Sequence, residues 1–324
     1  MKPTICAASP SETDLMSKSD LKIVFFGTPD FAVPALKLLI ESGYNISAVF
    51  TGHGPVKTLT QEQQIKVFQP ASLKKDELIF EEFKKLKPDI CIVAAYGKIF
   101  PQKFLDVPRY GFLNIHPSLL PKHRGPSPIQ TAILNGDKET GVAIMVVDAE
   151  VDHGPILKEV AYNLQPTTYY KKAEKDLSEI GAKLLIETLL EYISGEIKPR
   201  EQNHGQATFT KMFQREDGKI NWNEPCEKIY NRIRALNPEP GTWTTWKGKV
   251  INISNITTLK VVSPQGADLE LAKPGIVKKI DGNIAVATKK CYLILKSIQL
   301  EGGEKMDAKS FVNGHPDFLG SRLE

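Results

Sequence analysis

The sequence predicts an α/β domain with a Rossmann-like parallel sheet, followed by a smaller, mostly β domain. Apolar runs of strand length alternate with amphipathic helical stretches up to residue 193, which is the pattern of β-α-β units. A polar stretch with Gly and Pro follows at 195–208, and beyond it short strands are separated by Gly, Asn and Pro. Short strands separated in this way are typical of a small β-barrel. We therefore expect a first domain over 21–194, a linker over 195–208 and a second domain over 209–324.

The first domain opens with a β-α-β unit. Leu21–Phe26 is a short apolar run that suits a buried strand, and Gly27–Asp30 ends it. Apolar residues then recur at helical spacing from Phe31 to Ile40, and Tyr44–Thr51 is the next strand. Parallel strands need a crossover connection of this kind, so the unit predicts a parallel sheet.

The alternation continues along the rest of the chain. In the first domain we expect these elements in order: helix Glu77–Leu86, strands Asp89–Ala95 and Gly111–His116, helix Pro128–Asn135, strand Gly141–Val147 and helix Ala173–Ile193. In the second domain we expect a helix at Pro225–Leu236 and strands at Lys249–Ile253, Gly275–Ile280, Ile284–Thr288 and Cys291–Ser297. No internal repeat interrupts this order.

Length and composition exclude several classes of protein. The chain has 324 residues, of which 41% are hydrophobic and 25% are charged, so it can bury a core. No apolar stretch approaches the roughly 20 residues of a membrane-spanning helix. The four cysteines are scattered, which disfavours a structural zinc site or a disulfide scaffold and fits a reducing cytosol. Residues 1–20 are polar; we expect a disordered leader there, with Met16 as a candidate start.

Positive charge is concentrated in the second domain. The whole chain carries a net charge of +4, and residues 209–324 contain 18 Lys and Arg against 13 Asp and Glu, a net of +5. A domain that binds a polyanion shows such an excess of positive charge. On charge alone, a solvated lysine-rich surface is the more common explanation.

The strongest local signal is the stretch NIHPSLLP at 114–121. Alternation along the strand puts Asn114 and His116 on one face, at the carboxyl end of a parallel strand, where open α/β sheets place ligands. An amide donor beside an imidazole suits a reaction that develops negative charge on a carbonyl oxygen. The alternative is a structural histidine in a turn.

Asp152 is the expected partner of His116. It follows another predicted strand, 36 residues along the chain, and a His–carboxylate pair supplies an acid and a base near neutral pH. The alternative is a turn carboxylate that caps Gly154. Because no GxSxG elbow or Cys/His pairing is present, direct attack by an incoming substrate fits better than a covalent intermediate. The first βα turn lacks GxGxxG, which disfavours nicotinamide dinucleotides.

These motifs resemble those of the 10-formyltetrahydrofolate-dependent formyltransferases. The matching stretches are FFGTPDFAVPAL, NIHPSLLPKHRGPSP and DAEVDHGPIL, and the resemblance runs from Leu21 to Leu323. Asn-x-His followed by SLLP, together with the distant aspartate, is specific to the family. AYGKI at 95–99, PIQ at 128–130 and RALNPEPGTW at 234–243 favour the members that act on charged tRNA. The resemblance implies an OB-like second domain, in agreement with the β-barrel reading.

The resemblance also implies a reaction. The free amino group of methionyl initiator tRNA attacks the formyl carbon of 10-formyltetrahydrofolate, and no metal is required. Asn114 and His116 would hold the formyl oxygen and the tetrahedral intermediate, while Asp152 orients and charges the imidazole and assists proton removal. The expected folate pocket comprises Ser118, Leu119, Leu120 and Pro121, with Tyr96 and Gly97 at the pterin. We expect a monomer of a bacterial-type cytoplasm that does not bind membranes.

One segment departs from the family pattern. Thr51–Pro70 is shorter than its counterpart and keeps only Lys57 and Lys66 as basic residues. We expect the helix before VFQP to be lost, one sheet edge to be affected and tRNA discrimination to change. Two alternative functions stay open: a sugar-nucleotide N-formyltransferase with the same folate donor, and a non-catalytic RNA-binding protein built on a degraded enzyme. PIQ and RALNPEPGTW argue against the first, and the intact Asn-x-His and aspartate argue against the second.

Overall fold

The computed structural model describes residues 17–259, 272–289 and 291–324, which form two compact units. The first unit comprises residues up to Gly125 together with Gly141–Tyr162 and Lys175–Phe209. The second comprises Pro126–Thr140, Asn163–Glu174 and Thr210–Glu324. Most of the leader expected at 1–20 lies outside the described residues.

The first sheet has seven strands. They are β1 (Lys22–Gly27), β2 (Asn45–Phe50), β3 (Val67–Phe68), β4 (Ile90–Ala94), β5 (Phe112–His116), β6 (Glu139–Val146) and β7 (Ile156–Asn163), in the order β3-β2-β1-β4-β5-β6-β7. The five strands from β3 to β5 pair in parallel, which confirms the expected parallel sheet. β6 runs antiparallel to β5, with His116 beside Ala143 and Leu113 beside Val146.

Six helices accompany these strands in the chain. They are α1 (Val33–Glu41), α2 (Pro55–Glu62), α3 (Glu77–Leu86), α4 (Gln102–Leu105), α5 (Pro128–Asn135) and α6 (Tyr170–Ile193). The bounds of α3 follow from its sequence. The Asp76 side chain accepts a hydrogen bond from the Ile79 N–H at the start, and Lys87 adopts the left-handed conformation that ends the helix.

The expectation that residues 51–70 lose a helix and weaken a sheet edge is wrong. α2 begins at Pro55, whose fixed φ suits the first helical turn, and it buries Val56 and Thr60 one turn apart. β3 follows and pairs with β2, with Val67 beside Val49. The helix was missed because its buried face carries one apolar residue and one threonine, so its apolar period is weak.

Aromatic rings fill the core on one side of β1 and β4. Phe26 is fully buried, and its ring lies within 6.0 Å, centroid to centroid, of the rings of Phe50, Phe83, Tyr96, Phe100 and Phe112. Burying each such ring stabilises the fold by roughly 1.5–3 kcal/mol. Gly27 ends β1 where a Cβ would lie 2.7 Å from the Ala32 Cβ and 2.9 Å from the Ala94 oxygen. The turn after β1 therefore needs glycine.

The second unit contains an antiparallel sheet, as the β-rich sequence predicted. Beyond residue 210 its helices and strands are α7 (Cys226–Leu236), β8 (Trp243–Trp246), β9 (Lys249–Leu259), β10 (Val277–Ile280), β11 (Asn283–Ala287), β12 (Tyr292–Leu300), β13 (Met306–Asp307) and α8 (Ala308–Gly314). The strand order is β10-β11-β12-β9-β8, and β13 pairs with β12. Ile229 and Ile233 of α7 belong to the same buried cluster as Ile251 and Ile253 of β9.

The second unit also contains a disulfide, which the cysteine spacing did not predict. Cys226 at the start of α7 is bonded to Cys291, 65 residues along the chain. Cys91 is free and fully buried in β4, and this burial raises the pKa of its thiol well above the usual value. Among the described residues, no helix is both long enough and apolar enough to cross a membrane.

Candidate active site

β5 carries the first two candidate catalytic residues. Its register places Asn114 beside Val93 of β4, and His116 is the last residue of the strand. His116 is buried, with 4% of its surface exposed, and Asn114 is half-buried. Because the parallel strands all end at this edge, the side chains stand where such sheets bind ligands.

Asp152 reaches the same place by a route that differs from the expected one. Because β6 runs antiparallel to β5, its end lies away from His116, and the loop between β6 and β7 folds back. The Val146 N–H donates to the Pro155 oxygen (2.9 Å) at the base of this loop. Gly154 packs so closely that a Cβ would collide with the Val146 oxygen.

The Asp152 carboxylate joins three groups. Its Oδ1 accepts a hydrogen bond from Asn114 Nδ2 (3.3 Å) and lies 3.5 Å from His116 Nδ1. Its Oδ2 accepts the Gly125 N–H (2.7 Å). The structure thus brings together all three residues that the sequence singled out, although they come from a strand and a distant loop.

The hydrogen bonds of His116 define its tautomer. Its Nε2 lies 3.1 Å from the backbone oxygen of His123. A carbonyl oxygen can only accept a hydrogen bond, so Nε2 carries a hydrogen and donates it. The other ring nitrogen, Nδ1, faces Asp152 and lies 3.5 Å from its Oδ1.

Three of the non-glycine residues with a positive φ lie near this edge of the sheet. Ala95 after β4, His123 in the loop after β5 and Asp152 have φ values of +47°, +60° and +48°. Residues with a Cβ adopt this region at a cost of roughly 1–2 kcal/mol. Strained residues of this kind cluster at functional sites, where the surrounding structure holds them in place.

The side chains of the expected folate segment are mostly turned into the protein. Ser118 is fully buried, and its hydroxyl donates to the Lys122 oxygen (2.6 Å). Leu120 lies in a buried cluster, and Leu119 packs over Gly141. Any contact of this segment with a ligand would therefore come from its main chain and from the half-buried Leu119 and Pro121.

Tyr96 and Gly97 lie at the same edge, just beyond β4. Tyr96 is 6% exposed, and its hydroxyl has no hydrogen-bond partner among the residues that the structure describes. Burial raises the pKa of this phenol, so the hydroxyl stays protonated and can donate. A Cβ at Gly97 would meet nothing within 4 Å, so there is open space over this turn.

Three further contributors to the site were missed by the sequence analysis. They are the His123 oxygen, the Gly125 N–H and the buried Gln202, which lies in the stretch expected to be a linker. Two of them act through backbone atoms, which leave no mark in a sequence, and Gln202 is a single amide in a polar stretch. Within 17–259, 272–289 and 291–324, no cluster of His, Cys, Asp and Glu could hold a metal ion.

Both parts of the chain match models of one enzyme family. Residues 21–189 match the model of the formyl transferase family, and residues 212–316 match the model of its C-terminal domain. The chain belongs to the formyl transferase family.

Within this family, the chain is similar to enzymes that act on methionyl-tRNA. The methionyl-tRNA formyltransferase of Roseiflexus castenholzii is 40% identical over 316 residues, covering 94% of this chain and 99% of the relative. That of Caldanaerobacter subterraneus subsp. tengcongensis is 38% identical over 307 residues, covering 91% and 97%.

Solved structures show the same fold at lower identity. The N-formyltransferase from Helicobacter canadensis, in complex with folinic acid and dTDP-3-aminofucose, superposes with a TM-score of 0.65 at 18% identity, over 88% of this chain and all of that one. HypX from Aquifex aeolicus, in complex with tetrahydrofolic acid, also gives 0.65 at 18% identity, over 92% of this chain. This chain spans 48% of the length of HypX, and at such identities the likeness shows the fold alone.

Proposed function

We propose that this chain transfers the formyl group of 10-formyltetrahydrofolate to the free amino group of methionyl initiator tRNA. The observation that carries the proposal is the convergence of Asn114, His116 and Asp152 at the carboxyl end of β5. It is supported by 38–40% identity to methionyl-tRNA formyltransferases over at least 91% of this chain. The product is N-formylmethionyl-tRNA, which serves translation initiation.

The three residues supply what this transfer needs. The amine nitrogen bonds to the formyl carbon, the bond from that carbon to folate N10 breaks, and one proton passes from the amine to N10. Asn114 Nδ2 has a second hydrogen to donate to the formyl oxygen as it gains negative charge, and the His116 ring would donate there from Nε2 in place of its contact with the His123 oxygen. Asp152 orients both donors, and its carboxylate accepts the proton that the amine loses.

The donor site is proposed at the edge of the sheet that β4 and β5 share. The open space over Gly97 would accommodate a flat heterocycle, and the neighbouring Tyr96 hydroxyl, buried and unpartnered, would become its donor once the ligand covers this turn. The main chain of Ser118, Leu119, Leu120 and Pro121 would form another wall. No step of the proposed chemistry requires a metal ion.

We assign tRNA binding to residues 209–324, which carry the positive net charge. Within the second unit, Arg215 and Lys219 each lie 5.5 Å from the centre of the Trp243 ring. Cations beside a partly exposed ring suit contact with phosphates and bases. We further propose a catalytic domain over 21–194, a connection over 195–208 that is held against the first unit, a monomeric state and a cytoplasmic location.

A formyl-transfer assay tests the proposal. Purified protein is given 10-formyltetrahydrofolate with charged initiator tRNA, charged elongator tRNA or an amino-sugar nucleotide in parallel. We expect transfer to initiator tRNA. Transfer to the sugar at a higher kcat/KM than to any tRNA would identify a sugar N-formyltransferase instead. The fold shared with the Helicobacter canadensis enzyme is the reason for including this substrate. Salt-dependent tRNA binding without any transfer would point to a non-catalytic RNA-binding protein.

A further inference from the structure

Residues 200–209, here called the brace segment, bind both loops that support the candidate site. Arg200 exchanges two backbone hydrogen bonds with Ile156, each 2.8 Å, at the start of β7. The Thr208 oxygen accepts the Arg124 N–H (2.8 Å), and the Thr208 hydroxyl accepts the His123 N–H (2.8 Å). The segment expected to be a linker is therefore anchored in the first unit, on either side of the site.

Gln202 makes the most direct contact between the brace segment and the site. Its side chain is buried, and Nε2 donates to the backbone oxygens of Asp152 (2.9 Å) and Gly154 (2.7 Å). Its Oε1 accepts from Arg124 Nε (3.1 Å) and Nη2 (2.7 Å). The two donor hydrogens and both lone pairs of this amide are thus occupied, which gives its position a full set of constraints.

The contacts of Gln202 fall where the loop is strained. Asp152 has a positive φ, a conformation that aspartate adopts more readily than most residues but still at a cost. Gln202 holds the oxygens of residues 152 and 154, on either side of His153, and so restricts the main chain that carries the carboxylate. Arg124, which is 3% exposed, connects Gln202 to the Gly125 N–H that binds the same carboxylate.

We propose that Gln202 is a positioning residue, which acts on formyl transfer by fixing Asp152 against Asn114 and His116. This inference rests on the proposed function. A displacement of about 1 Å in a catalytic group can lower a rate by about a hundredfold. Gln202→Leu should therefore lower kcat by about ten- to a hundredfold and leave the KM for both substrates nearly unchanged, because the amide is buried and its donors and acceptor are already used within the protein.

Two further variants distinguish the role of the amide's donor hydrogens from that of its acceptor oxygen. Gln202→Glu keeps oxygen acceptors for Arg124 but removes both donor hydrogens, and it sets a carboxylate against two backbone oxygens. Its kcat should fall at least as far as that of Gln202→Leu. Gln202→Asn keeps the amide on a shorter stem and should retain more activity than either. Gln206→Leu is the matched control, since Gln206 is exposed on the same segment, and its kcat should equal that of the wild type.

A double-mutant cycle tests whether Gln202 acts through Asp152. In the Asp152→Asn background, Gln202→Leu should cause little further loss of kcat, because the group that it positions is already removed. A purely structural role would lower kcat by the same factor in both backgrounds and would overturn the inference. Wild-type kcat in Gln202→Leu itself would also overturn it.

Amide hydrogen exchange gives a readout that does not depend on activity. The Gly125 N–H is held by Asp152 Oδ2, so it should exchange faster in Gln202→Leu than in the wild type, while the amides of β1 and β4 keep their rates. Unchanged Gly125 exchange would contradict the brace even if the wild type showed no formyl transfer. Absence of transfer by the wild type, with faster Gly125 exchange in the variant, would refute the proposed function and leave the positioning of Asp152 intact.

Discussion

Replacing Asp152 by asparagine tests the electrostatic core of the site. The change is isosteric and removes one negative charge. The asparagine oxygen can still accept the Gly125 N–H, which now binds Oδ2 at 2.7 Å. The loop should therefore keep its place, and the variant should fold.

The expected loss follows from the distance between the charges. Asp152 Oδ1 lies 3.5 Å from His116 Nδ1, and the two side chains are 15% and 4% exposed. At an effective dielectric constant of about 20, unit charges at that distance attract by roughly 4–5 kcal/mol. Since about 1.4 kcal/mol corresponds to a factor of ten in rate, the full attraction equals about three orders of magnitude. Asp152 retains some contact with solvent, so we expect kcat to fall by about a hundred- to a thousandfold.

Single-turnover formyl transfer to charged initiator tRNA, with both substrates saturating, measures this loss. Glu150→Gln is the matched control, because it makes the same charge change in the same loop at a side chain that is 76% exposed. Its rate should equal that of the wild type. An Asp152→Asn rate within about fivefold of the wild type would refute the electrostatic role, whereas equal losses in both variants would show that only the net charge of the loop matters.

Three other predictions follow from the structure. Burial and the hydrogen bond to Asp176 raise the pKa of Tyr162 to about 12 in the folded protein. In the unfolded chain this tyrosine titrates near pH 10, so its neutral hydroxyl stabilises the fold fully below about pH 10, and this stabilisation is lost as the pH rises toward 12. Wild-type Tm should thus fall more steeply than that of Tyr162→Phe above pH 10, and parallel curves would contradict this. Protein purified without reductant and then unfolded should leave Cys226 and Cys291 unreactive toward a thiol reagent; labelling of both would disprove the disulfide. Affinity for tRNA should fall at least about tenfold between 50 and 200 mM salt, because phosphate contacts release counterions; an unchanged Kd would remove the basis for assigning tRNA binding to residues 209–324.

The α2 region shows how a local pattern can mislead. The shortness of residues 51–70 suggested a lost helix, but the structure keeps both α2 and β3 there. Val56 and Thr60 are buried together, and a threonine buried on a helix carries no apolar signal in the sequence. The Thr60 hydroxyl donates to the Val56 oxygen (2.6 Å), which satisfies its polar group within the helix. Whether the shorter segment alters tRNA discrimination stays a prediction, and the elongator tRNA arm of the transfer assay tests it.

Local patterns in the sequence were enough to predict the two-part architecture, the parallel order of the first strands and the three candidate catalytic residues. Strand and helix periods are local properties, and Asn114 and His116 are two residues apart on one strand, so their common face is legible from the chain. Their roles in catalysis remain a prediction.

The path by which Asp152 reaches Asn114 and His116 depends on tertiary contacts that the sequence does not reveal. β6 reverses direction, the following loop folds back, and backbone groups of His123 and Gly125 complete the arrangement. Tertiary contacts also make the polar stretch near residue 202 a brace and not a free connection. Such contacts join residues tens of positions apart through main-chain atoms that every residue possesses. For that reason the amino-acid sequence contains no pattern that predicts these contacts.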